Sequence, residues 1–239
     1  MKGPNESRRG IARLSMEYRR DIDGLRAVAV LPVVLFHLKA AWMPGGFVGV
    51  DIFFVISGYL ITTVLLAELH ETGRLSIARF YERRIRRIFP ALFTVLGVSS
   101  IAALLLFLPA DLVAYARSLL WTAFFSSNMW FATQGGYFAQ PAATRPLLHT
   151  WSLAVEEQFY VVYPLFLVLV LRLGRRRFGA AIAAALFASL ALSIWAVDDH
   201  LKLSYFIAPT RAWELLIGAF LATGTLPALR RPVLASGVG

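Results

Sequence analysis

Long, nearly uninterrupted apolar blocks, separated by short clusters of Lys and Arg, constrain this chain more than any other feature. A helix needs about twenty residues to cross the hydrocarbon layer of a bilayer. Six segments come close: Leu25 to Met43, Phe47 to Ala67, Ile88 to Leu108, Phe159 to Leu173, Phe178 to Val197 and Tyr205 to Thr223. The fourth is short, so its start is expected to reach back into Trp151 to Glu157. With 58% apolar and 16% charged residues, the composition lies outside the range of ordinary soluble domains. The reading is an all-α polytopic transmembrane bundle with the lipid bilayer as its solvent.

The formal charge of +10 would suggest nucleic acid in a soluble protein. Here the cations sit between apolar blocks, where they set orientation, and no nucleic-acid partner is expected. The amino terminus, Arg74 to Arg87, Arg172 with Arg175 to Arg177, and Arg230 with Arg231 should all be cytoplasmic, which makes six crossings with both ends inside. Leu112 to Phe131 is apolar enough to tempt a seventh, but that would put Arg175, Arg176 and Arg177 outside. It is read instead as an interfacial or re-entrant segment, with Trp121 and Trp130 at headgroup depth. No cleavable signal peptide is evident, and the absence of cysteine excludes disulfides and thiolate metal sites.

Ionisable groups inside a membrane helix are costly, which makes Arg26 and His37 of the first span candidates for function. Eleven residues advance about three turns plus 20° and rise about 16 Å, so both lie on one face. Arg26 falls near the cytoplasmic boundary and His37 at mid-depth or beyond. A neutral imidazole there could deprotonate a hydroxyl and return the proton to a thiolate. The alternative is that Arg26 snorkels to headgroups and His37 bonds a neighbouring helix.

Phe80 to Pro90 holds Arg83, Arg84, Arg86 and Arg87. Arg84 and Arg87, three apart on one helix face, suit forked bonds to phosphate, as a coenzyme A carrier would require. The same cluster also serves as a plain topological anchor. On the outer side, Glu156 and Glu157 point about 100° apart, so at most one faces the interior. Arg211 and Glu214 could pair with each other, or Glu156 could face Arg211 and wall an acceptor site. Asp51 enters the membrane at the depth of His37, and the two could orient each other. No metal site is read from these residues.

Together, Tyr18 to Val30 with His37, Gly45 to Ile61, the arginine segment ending at Pro90, Trp151 to Glu156 and Arg211 to Gly218 resemble the acyltransferase-3 family of bacterial glycan O-acetylases. The resemblance implies that Arg26 and His37 are the family's paired Arg and His of the first helix, Arg84 and Arg87 its cytoplasmic Arg pair, and Glu156 the glutamate after its Trp-Ser-Leu. Joined with the reading of the residues, this makes His37, Glu156 and Asp51 the catalytic candidates, Arg26, Arg84 and Arg87 the donor-binding ones, and Arg211, Glu214 and Trp151 the acceptor-side ones. The resemblance also implies acyl-CoA, in particular acetyl-CoA, as co-substrate, a carbohydrate acceptor such as lipopolysaccharide or peptidoglycan, and location in the bacterial inner membrane. The wording Asp21 to Arg26 with Phe47 to Asp51 is similar to the subgroup carrying a fused SGNH-type domain. Family membrane domains have about ten helices, so the expected organisation is a basic segment 1–20, an incomplete acyltransferase domain 21–229 and a truncated tail 230–239. A proton-relaying transporter and an inactive scaffold are the rival readings.

Overall fold

The computed structural model describes residues 20–38, 42–134, 145–172 and 174–224, and every regular element among them is helical. The expected cytoplasmic segment 1–20, apart from Arg20, and Arg230, Arg231 and the tail 230–239 lie outside the described residues. The helices are α1 (Arg20–His37), α2 (Gly49–Thr72, entered through a 3-10 turn, Gly46–Val48), α3 (Ile77–Leu106), α4 (Pro109–Ala123), α5 (Ser127–Thr133), α6 (Thr150–Arg172), α7 (Arg175–Asp199), α8 (Leu201–Phe206) and α9 (Ala208–Ala222).

Helices carry most of the expected apolar segments, but Tyr205 to Thr223 is broken at Ile207 between α8 and the 15-residue α9, and α1 ends at His37, short of Met43. Four stretches, Gly46–Thr72, Ile77–Leu106, Thr150–Arg172 and Arg177–Asp198, are long and apolar enough to cross a membrane, and Gly24–His37 is a shorter apolar helix. Much of their surface stays apolar and exposed, with Leu105 78% exposed on α3 and Phe187 66% on α7. Such faces are at home against lipid.

Local chemistry sets the boundaries. Gly73, at φ 70°, ends α2 in the left-handed conformation that glycine adopts without a steric cost, and its N–H bonds the Leu69 carbonyl. Three residues later the Ser76 side chain accepts the Arg79 N–H at 3.4 Å and starts α3. The arginine segment is therefore helical from its first turn, not a loop ahead of a helix beginning near Ile88. The fourth span reaches back to Thr150, which places Trp151 and Glu156 inside the helix. Leu112 to Phe131 is not one helix: it breaks at Phe125, whose φ is 51°. At 15 residues α4 is about 22 Å long, short of a crossing on its own.

Packing depends on close backbone approach. A Cβ on Gly58 would strike the Leu215 carbonyl, and one on Gly218 the Val55 carbonyl, so α2 and α9 touch backbone to backbone. Gly46 and Gly49 admit α1 in the same way, against Pro32 and Ala29. Asp51 in the first turn of α2 pairs with Arg211 in α9, so these two helices begin at the same end. Thr62 of α2 shares a 2.7 Å hydrogen bond with the Tyr163 hydroxyl of α6 inside the bundle.

Candidate active site

The first turns of α3 hold a row of arginines that face α1, α2 and α6. Arg26, Arg83, Arg84 and Arg87 line a cavity of about 240 Å³, closed on its other sides by Ser57, Leu60, Glu156 and Tyr160. Arg83 is neutralised by Glu68 at 2.9 Å, and Arg86, outside the cavity, by Glu82 at 2.9 Å. Arg26, Arg84 and Arg87 form no ion pair among the described residues. Arg84 instead lies 3.8 Å over the Tyr160 ring and Arg26 5.1 Å from the Phe53 ring. Stacking holds a guanidinium plane while leaving its in-plane N–H groups free to donate. The structure thus separates the four arginines of the cluster into two that are paired and two, Arg84 and Arg87, that are available to an anion.

A second cavity, about 440 Å³, adjoins the first and is walled mainly by Val30, Val33, Phe53, Leu92 and Val95. Arg87 and Glu156 belong to the walls of both cavities. Glu156 is buried and accepts a 2.5 Å hydrogen bond from the Tyr160 hydroxyl one turn further along α6. Of the two adjacent carboxylates it is Glu156 that reaches the cavities; Glu157 Oε1 is buried with no hydrogen-bond partner.

Only the first part of the stripe expected on α1 reaches the cavities. Arg26 lines the basic cavity, and Val30 and Val33, one and two turns on, line the apolar one. His37 follows on the same face as the last residue of the helix. It is exposed, lines neither cavity, and keeps Nδ1 2.7 Å from the Val33 carbonyl, with its ring edge-on to Phe36.

The remaining expected residues form a separate group. Arg211 pairs with Asp51 and lies 3.0 Å from Glu214, so the within-helix partner and Asp51 take the place considered for Glu156. The same pairing turns Asp51 toward α9 rather than toward His37. The N–H vectors of Arg211 miss Glu214, whose carboxylate oxygens have no hydrogen-bond partner; the contact is Coulombic. Phe54, Trp151 and Tyr205 surround the guanidinium at 5.7, 5.8 and 5.6 Å, and Trp151 itself is buried against Tyr205 and Phe206. Sequence reasoning passed over Tyr160, Ser57 and His149, which line the cavities. Their only signal was membership of segments already singled out for other residues.

Arg26 and Arg84, each against an aromatic ring, and Arg87 thus stand beside an apolar chamber inside a helical membrane bundle. A family model described as an acyltransferase domain matches residues 19–231, and the chain belongs to this family, acyltransferase-3. It is similar to O-acetyltransferase OatA of Staphylococcus aureus strain NCTC 8325 / PS 47 and of strain COL, with 38% identity to each over 212 residues. The match covers 87% of this chain and 35% of each relative, so the chain spans about a third of the length of the curated relatives it matches. No solved structure matches it.

Proposed function

We propose that this chain is the membrane part of an O-acyltransferase, taking a short acyl group, acetyl first among them, from cytoplasmic acyl-CoA to a hydroxyl of a glycan outside the bacterial inner membrane. The observation that carries this reading is the shared wall, Arg87 and Glu156, between a cavity of stacked arginines and an apolar chamber. Arg26, Arg84 and Arg87 meet the phosphates of the donor through charge-assisted bonds. The pantetheine arm, largely uncharged, extends into the apolar chamber and brings the thioester past Glu156. His37, at the far end of the α1 stripe, supplies an imidazole for proton transfer on the acceptor side. Arg211, Glu214, Asp51 and Trp151 wall the acceptor side.

The test uses the chain in lipid nanodiscs with labelled acetyl-CoA and an oligosaccharide acceptor. Label should appear on the oligosaccharide, and CoA should compete for binding. A chain that neither binds CoA nor releases it from acetyl-CoA would overturn the reading.

A further inference from the structure

His149 stands immediately ahead of α6, seven residues before Glu156, and lines the apolar chamber. The other polar groups described on that wall are committed or unsuited to moving a proton near neutrality. Arg87 stays charged, Glu156 accepts the Tyr160 hydroxyl, and Thr150 is bonded to Ser127 and the Leu147 carbonyl. Ser152 donates to the His149 backbone carbonyl at 3.2 Å. An imidazole is the side chain whose ordinary titration falls where a proton can be taken and given back.

A neutral imidazole carries one N–H and one nitrogen with a lone pair, which is the arrangement a base requires. His37 keeps its Nδ1 2.7 Å from the Val33 carbonyl. The two rings are close enough that charge on His37 lowers the proton affinity of His149. One imidazole thus comes from α1 and one from the entry to α6, and only the second lines the chamber.

We infer, on the acyl-transfer reading above, that His149 is a second catalytic imidazole, the base that meets the acceptor hydroxyl at the chamber wall beside His37. The hydroxyl O–H bond breaks and its proton goes to the free ring nitrogen of His149. The oxygen forms a bond to the acyl carbon, the carbon–sulfur bond breaks, and the thiolate of CoA leaves. The imidazolium then returns the proton to that sulfur, so both the ester and free CoA are accounted for and His149 is neutral again. Partial desolvation and His37 hold the His149 pKa below its ordinary value, so the ring is neutral near pH 7. The other charged groups facing the chamber are Arg87 from α3 and Glu156 from α6.

The experiment compares wild type, His149→Ala and His149→Gln in nanodiscs, with acetyl-CoA as donor and chitotriose as acceptor, reading CoA release, CoA affinity and the pH profile. Both variants should release CoA roughly a hundredfold more slowly, with CoA affinity unchanged, and added imidazole should partly restore His149→Ala. Release within twofold of wild type overturns the inference. So does a loss that imidazole fails to rescue, or one accompanied by lost CoA binding, since either assigns His149 a structural role. A wild-type chain that releases no CoA overturns the acyl-transfer reading itself, and this inference falls with it.

Discussion

The guanidinium of Arg84 lies 3.8 Å over the ring of Tyr160, the residue whose hydroxyl holds Glu156. One aromatic ring therefore touches both the anion-binding and the carboxylate parts of the site. It holds the arginine without neutralising it.

Arg84→Ala should weaken CoA binding by about tenfold or more, consistent with loss of one charge-assisted hydrogen bond worth roughly 1.5–3 kcal/mol. Arg84→Lys should restore part of the charge but not the fork or the stack. Calorimetric titration of nanodisc-embedded protein measures both. An unchanged affinity in Arg84→Ala would leave this residue a topological anchor.

Gly58→Val and Gly218→Val should destabilise the bundle by about 1–3 kcal/mol or more, because each new Cβ meets backbone on the facing helix. Gly97→Ala, whose Cβ meets nothing within 4 Å inside α3, is the control and should not lower the melting temperature. Equal melting curves for the valine and control variants would show that α2 and α9 do not meet at these glycines.

Glu214 is 1% exposed, and Arg211 is the cation beside it. Arg211→Met should cost about 3–5 kcal/mol by stranding that carboxylate. Adding Glu214→Gln should recover part of the loss. A thermal-unfolding double-mutant cycle measures the coupling, and additive losses would show that the pair is not coupled.

Stability should fall as pH drops below about 6.5, and His149 should contribute to that fall. Its folded pKa is depressed, so the unfolded chain takes up the proton first. The penalty grows from the unfolded value down to the folded one and is constant below it. His149→Gln should lose less stability than wild type between pH 7 and pH 5. Identical acid limbs in denaturant titrations would contradict the depressed pKa.

The six-crossing topology puts α4 and the start of α7 on opposite sides of the membrane. Cysteines introduced by Arg117→Cys and Arg177→Cys should react with an impermeant reagent from opposite faces of oriented vesicles. Labelling from one face would discard that topology.

Apolar stretches of the right length located the long helices, because a bilayer core tolerates no unpaired backbone polar group and rewards length and composition directly. The beginning of α6 near Trp151 and the shared face of Arg26 and His37 were legible for the same reason, since helical periodicity is local. Which arginine is spent on Glu68, that Asp51 meets Arg211, that Arg84 stacks on Tyr160, and that His149 reaches the chamber were decided only in three dimensions. Those pairings depend on how each helix is rotated against its neighbours, and that rotation is set by backbone contacts such as Gly58 with Leu215 and Gly49 with Ala29, which join residues far apart along the chain.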